Sequence, residues 1–185
     1  MKAHGRSKTS LFGNSGGAMI ALECTASYPE YLDHVIVQEA PVAGLLPDAT
    51  ELLDWFFELH STYKAKGPRA AGAALQGRMM PTYVEIPPLA QPREEDMENF
   101  WKYEFLGFVL YCPDLQRVVE NKVSVVAGVW EGSGDAFFRR CGGPLAKRLN
   151  CECVEFPGHH SGFENYVEEF AASLFGAINV EDGKQ

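Results

Sequence analysis

The segment Gly13–Gly17, with the sequence G-N-S-G-G, constrains the fold more than any other part of the chain. A short extended run (residues 9–12) precedes it, and an apolar run typical of a helix (residues 18–22) follows it. A G-x-S-x-G pattern between a strand and a helix is typical of a nucleophile elbow, whose strained turn makes the serine hydroxyl project. The pattern predicts that Ser15 is a nucleophile; the alternative is a glycine-rich turn with an incidental serine.

The glycines of this segment have predicted roles of their own. Side chains at Gly13 and Gly17 should collide where the strand and the helix converge. The Gly16 N–H, at the N-terminus of the helix, is predicted to face an oxyanion that forms on an attacked carbonyl. A phosphate-binding loop fits less well, because the lysine and Ser/Thr that follow its second glycine are absent.

Composition narrows the class of protein. The 185 residues, 46% of them hydrophobic, are enough for a single domain spanning 1–185. A net charge of −9 makes nucleic acids and anionic membranes poor partners. No apolar run reaches the length of a membrane span, and no signal peptide is visible. Five cysteines without a C-x-x-C pair are expected to be reduced thiols in the cytoplasm.

Hydrophobic patterning predicts an α/β fold with a mostly parallel sheet of about four strands. The predicted strands are residues 9–12, 34–38, 123–129 and 153–156. The predicted helices outside the central region are residues 16–28, 136–149 and 163–178, the second of them broken in character by Gly142, Gly143 and Pro144.

Residues 42–121, between the second and third strands, are predicted to form a helical cap or lid. One helix should follow Asp48 as its N-cap and end at residues 67–68. Two more helices should cover residues 69–80 and 94–110, and a proline-rich irregular stretch should separate these two. The aromatic residues of 94–110 indicate an apolar substrate pocket above the elbow. Plain crossover helices without a pocket are the alternative.

Candidate catalytic residues follow three of the strands. Ser15 comes after the first, Glu131 and Asp135 after the third, and His159 and His160 after the fourth. Open parallel sheets gather such groups at the carboxyl ends of their strands, where a serine, a base and an acid can act together. Neighbouring histidines rarely face one metal ion, and no carboxylate cluster accompanies them, so no metal site is expected. A serine, a base and an acid need no cofactor, and none is expected.

With these candidate residues in this order, the chain resembles the α/β-hydrolase superfamily of serine hydrolases. The matching segments are Phe12–Ala18, Tyr28–Leu32, Val37–Pro41 and Phe156–Phe163. The last of them resembles the P-G-G-H-x-G-F loop of the family, and its register gives the role of general base to His160, with His159 in place of the second glycine. The helical cap of the family lies where residues 42–121 fall.

Three carboxylates compete for the role of triad acid. Glu131 lies three residues after Gly128, the offset of the G-x-x-D acid of the family, and is preferred. Asp135 lies four residues further on, in a glycine-rich loop. Glu39 occupies an alternative acid position that some members of the family use. For each, a solvated loop carboxylate is the alternative interpretation.

The resemblance covers only the latter part of the family's fold. Members normally have about four strands ahead of the elbow strand, and fourteen residues cannot form them. We therefore expect the second oxyanion donor to be missing, turnover to be weak, and the elbow strand to be an exposed edge. That edge could bind a second copy or a companion chain.

Two functions remain: a hydrolase of small to medium apolar esters, thioesters or amides, or a non-catalytic remnant that acts as a binding protein.

Overall fold

The computed structural model describes residues 7–79 and 92–182. Within them the strands are β1 (Thr9–Asn14), β2 (Leu32–Gln38), β3 (Ser124–Trp130) and β4 (Cys153–Phe156). They form one sheet in the order β1-β2-β3-β4, and all three neighbouring pairs are parallel. The predicted four-stranded α/β sheet is confirmed, with boundaries that differ by at most two residues.

Helices connect and flank these strands, as parallel pairing requires. In chain order they are α1 (Gly16–Ser27), α2 (Ala49–Lys66), α3 (Pro68–Met79), α4 (Glu94–Asn99), α5 (Phe105–Leu110), α6 (Leu115–Glu120), α7 (Phe137–Leu149) and α8 (Val167–Asp182). A π-helical turn, Phe100–Glu104, joins α4 to α5, so the predicted helix over 94–110 has three parts.

Helix α7 is continuous, although its sequence predicted a break at Gly142, Gly143 and Pro144. The structure gives Gly142 a packing role. A Cβ added there would lie 2.2 Å from Cγ1 of Val129, so the glycine allows α7 to approach β3 closely.

The sheet separates two apolar clusters. On one face, Val35, Val37 and Ala127 pack with α1, α7 and the helices between β2 and β3. On the other face, Ile36 and Val126 pack with Phe156 and with residues of α8. Because side chains alternate along a strand, strands covered on both faces are apolar throughout, which is the pattern seen in the sequence.

Asp48 precedes α2, as predicted for its N-cap, but its carboxylate has another partner. The Arg140 guanidinium donates to Oδ1 and Oδ2 of Asp48 over 3.0 and 2.8 Å. This bidentate pair ties α2 to α7, and it lowers the pKa of Asp48 because the guanidinium stabilises the carboxylate.

Several predictions fall outside the described residues, namely those for residues 1–6, for Met80, for the prolines at 81, 87 and 88, and for the end of the tail. Within the described part, β1 is hydrogen-bonded to β2 and lies at one edge of the sheet, as predicted. Across residues 7–79 and 92–182, no helix is long and apolar enough to span a membrane.

Candidate active site

The turn between β1 and α1 has the backbone of a nucleophile elbow. Ser15 has φ 56° and ψ −123°, a conformation that is strained for a residue with a side chain. Its N–H donates to the carbonyl oxygen of Gln38 over 2.9 Å, which fixes the turn against the end of β2. A Cβ at Gly13 would lie 2.3 Å from the carbonyl oxygen of Gly17, so the predicted need for glycine at 13 is confirmed. Nothing lies within 4 Å of a Cβ added at Gly17, so the same prediction was wrong there.

A buried carboxylate is hydrogen-bonded to His160, and it belongs to Glu39. Oε2 of Glu39 lies 2.6 Å from Nδ1 of His160. Glu39 is fully buried, and its carboxylate also accepts from the Trp130 N–H over 3.0 Å and from the Ser133 hydroxyl over 3.1 Å. Three donors thus compensate for burying the charge and fix the direction of the imidazole.

The expected pairing of His160 with Glu131 is therefore corrected to His160 with Glu39. Glu131 and Asp135 are both exposed. Glu131 begins a 3₁₀ turn after β3 and lines a separate cleft of about 310 Å³ together with His159 and Tyr166. The reason lies in the backbone: Glu39 directly follows β2, its N–H donates to the Gly128 carbonyl, and with φ 45° the chain leaves the direction of the strand at this residue.

The two histidines have different surroundings. The His160 ring packs on the Phe138 ring with centroids 4.1 Å apart, and Phe138 lines the same cavity as Ser15. His159 is 2% exposed, and its Nδ1 accepts from the Ser161 N–H over 3.3 Å. Burial, with a smaller effect from neighbouring His160, lowers the pKa of His159 and favours its neutral form.

Asn14 connects the elbow to the histidine loop. Its amide Nδ2 donates to the carbonyl oxygen of His160 over 2.9 Å, and its Oδ1 accepts from Nε1 of Trp130 over 3.1 Å. Asn14, Trp130 and Ser133 are not among the site residues that the sequence predicts. The available signal was their position, since each lies at or just after the carboxyl end of a predicted strand.

An apolar cavity of about 320 Å³ opens at Ser15 and Gly16. Six phenylalanines line it: Phe56, Phe100, Phe105, Phe108, Phe137 and Phe138. Four of them come from residues 42–121, so the helices between β2 and β3 supply most of the aromatic wall, as the sequence indicated. Among the described lining residues, Glu104 is the one with an ionisable side chain.

The described residues offer no metal site. Over 7–79 and 92–182, no group of three or more His, Cys, Asp or Glu side chains is arranged to hold an ion.

A parallel sheet, an elbow after β1, and a histidine after β4 bonded to a buried carboxylate define the α/β-hydrolase fold. Comparison with solved structures agrees. A carboxylesterase structure from Nitrososphaera gargenis has a TM-score of 0.63 at 18% identity, covering 100% of this chain and 69% of that one. MenH from S. aureus has a TM-score of 0.67 at 16% identity, covering 95% and 69%.

Among curated proteins, the chain is similar to the uncharacterized hydrolase YraK of Bacillus subtilis (strain 168). The two are 27% identical over 175 residues, which are 92% of this chain and 64% of YraK. The chain thus spans slightly less than two thirds of the length of that relative. No model of a known protein family matches the chain.

Proposed function

We propose that the chain is a serine hydrolase that cleaves an ester, thioester or amide of a small to medium apolar substrate. The observation that carries this proposal is the buried hydrogen bond between Glu39 and His160, whose carbonyl is bonded to Asn14, the residue before the strained turn at Ser15. A neutral imidazole fixed by a carboxylate at Nδ1 presents Nε2 as a proton acceptor.

In the proposed reaction, Ser15 Oγ attacks the carbonyl carbon and His160 Nε2 takes its proton. His160 then passes the proton to the leaving group, and water hydrolyses the acyl-enzyme by the same route. Glu39 keeps the Nδ1–H tautomer and stabilises the imidazolium. The Gly16 N–H, in the first turn of α1, stabilises the oxyanion, helped by the dipole of a twelve-residue helix.

The cavity supports a neutral, apolar substrate. Aromatic side chains form most of its wall, and the Glu104 carboxylate would repel an anionic substrate group. The carboxylesterase among the structural neighbours is consistent with an ester as the scissile group. We therefore expect neutral aryl and alkyl esters to be better substrates than esters that carry a carboxylate.

Labelling with a fluorophosphonate probe tests the proposal, since the probe reacts with activated serines. We expect the wild-type chain to be labelled and to hydrolyse 4-nitrophenyl esters, and Ser15→Ala to lose both properties while keeping its melting temperature. Ser10→Ala is the matched control, because Ser10 is an exposed serine on β1, the strand that leads into the turn at Ser15. Labelling of Ser15→Ala at the wild-type level would refute the role of Ser15.

A binding protein without catalysis is the second candidate, and the position of β1 favours it. Within the described residues, β1 is hydrogen-bonded on one side only, so its other side can accept a strand from a second copy or a companion chain. Under this alternative the folded chain stays unlabelled by the fluorophosphonate, and sedimentation shows concentration-dependent association.

A further inference from the structure

The Phe108 ring lies directly over the residue that carries the proposed oxyanion donor. A Cβ added to Gly16 would lie 2.8, 2.9 and 3.0 Å from three ring carbons of Phe108. The ring is therefore in contact with the Gly16 backbone, at the point where the cavity meets Ser15. A substrate carbonyl that reaches both Ser15 and the Gly16 N–H has to pass beside this ring.

The π-helical turn explains why Phe108 reaches this position together with two other rings. In an α-helix, residues five apart point about 140° away from each other, because there are 3.6 residues per turn. Phe100 and Phe105 are five apart, yet both line the cavity, because the Phe105 N–H donates to the Phe100 carbonyl in a π-helical bond. Phe108, one turn further along α5, then lies on the same face.

The size of the cavity limits what fits beside Phe108. Its volume of about 320 Å³ is near the lower end of the range of about 300–1,000 Å³ that is typical of small-molecule sites. An apolar cavity of about 150 Å³ already accepts benzene. The cavity therefore has room for a single ring or a short chain in addition to the scissile group.

We propose that Phe108 is the specificity-determining residue of this site, and that it restricts the acyl group to a single ring or a short alkyl chain. The expected preference for esters with short acyl groups rests on the proposed function. The physical content of the inference, a limit on the length of the bound apolar group, is independent of catalysis and can be measured by binding alone.

The test uses two series of ligands. Hydrolysis of 4-nitrophenyl acetate, butyrate, octanoate and decanoate gives kcat/KM against chain length. Binding of 1-butanol, 1-hexanol, 1-octanol and 1-decanol, followed by ligand-observed NMR, gives Kd without any reaction. The proteins are the wild type, Phe108→Ala, the milder Phe108→Leu, and the control Phe57→Ala, whose ring is half exposed on α2.

We expect the wild type and Phe57→Ala to favour the butyrate ester and the shorter alcohols. Phe108→Ala should move both optima to octanoate and 1-octanol, with a gain of about tenfold or more, since one methylene in an apolar pocket changes kcat/KM by about 10–200-fold. Phe108→Leu should give an intermediate shift, and it decides the question if Phe108→Ala does not fold.

Unchanged length profiles in a folded Phe108 variant would overturn the inference. If fluorophosphonate still labels Ser15 in that case, the proposed function stands without it. If no protein is labelled and no ester is hydrolysed, the proposed function fails, and the alcohol series alone decides whether Phe108 limits the bound group.

Discussion

The candidate site has two regions that are held together differently. Hydrogen bonds hold the region around Glu39 and Asn14, here called the sheet end, whereas contacts between aromatic rings hold the region around Phe56, here called the cap side. At the sheet end, Glu39 has three partners at 2.6 to 3.1 Å, and Asn14 has two. On the cap side, the Phe56 ring packs edge-on against Phe105 and Phe137, with centroids 6.1 and 5.2 Å apart. Hydrogen bonds fix direction, while ring packing mainly fixes volume.

This difference separates two kinds of effect. Proton transfer needs groups in one orientation, so changes at the sheet end should reduce kcat. Apolar contacts depend on area and shape, so changes on the cap side should alter stability and substrate preference. The following experiments test that separation, beginning with the largest expected effect.

His160→Ala should reduce kcat by about 10⁶-fold, since removing the base of a catalytic serine also removes activation of the serine. His159→Ala should retain most of the activity, because His159 lies in a different cleft from Ser15. Steady-state hydrolysis of 4-nitrophenyl butyrate, below the melting temperatures of both variants, measures this. Equal losses at the two positions would reverse the assignment of the base.

Glu39→Gln should reduce kcat by about 10⁴-fold, the size of effect seen when an amide replaces the acid of a triad and favours the wrong tautomer. Glu131→Gln is the matched control and should leave kcat almost unchanged, because Glu131 is exposed. A larger loss for Glu131→Gln than for Glu39→Gln would return the role of the acid to Glu131.

Phe56→Ala should lower the free energy of unfolding by about 3–5 kcal/mol, the usual result of truncating a buried phenylalanine. Phe56 is fully buried, whereas its neighbour Phe57 is 50% exposed, and Phe57→Ala should change stability by less than about 0.5 kcal/mol. Urea unfolding measures both. Similar losses for the two variants would contradict the packing described for α2.

Gly13→Ala should destabilise the fold by about 3 kcal/mol, at the upper end for overpacking, because its Cβ would collide with the Gly17 carbonyl. Gly17→Ala has open space and lies in α1, so helix propensity should stabilise it by up to about 1 kcal/mol. Thermal melting of the pair checks the opposite signs. Two changes of the same sign would show that strand and helix converge differently.

Acidification should destabilise the fold through His159. Its pKa is lowered in the folded state, so the unfolded chain binds more protons and stability falls as the pH drops below the ordinary histidine value of about 6.5. His159→Asn, which keeps an acceptor near the Ser161 N–H, should lose less stability than the wild type between pH 7 and pH 5. An equal loss in both proteins would assign the acid sensitivity to other groups.

Much of the fold could be predicted from local pattern. The apolar runs of β2 and β3 predict buried parallel strands, and both strands are largely buried in the sheet. The interruption at Phe100–Glu104 could not be predicted, because its aromatic residues fit an α-helical stripe equally well. Within the turn, the Trp101 ring stacks on Tyr63 of α2, a contact between residues far apart in the chain.

The sequence alone determined the order of the elements, the turn at Ser15 and the histidine loop, because each of these depends on residues adjacent in the chain. Tertiary structure decided which carboxylate meets His160. Glu39 and His160 are 121 residues apart, and what brings them together is the parallel order β2-β3-β4, which places the segments that follow these strands at one edge of the sheet. The offset from Gly128 favoured Glu131, but an offset along one loop carries no information about a neighbouring strand. For the same reason, the contact of Phe108 with Gly16 became visible only in the folded chain.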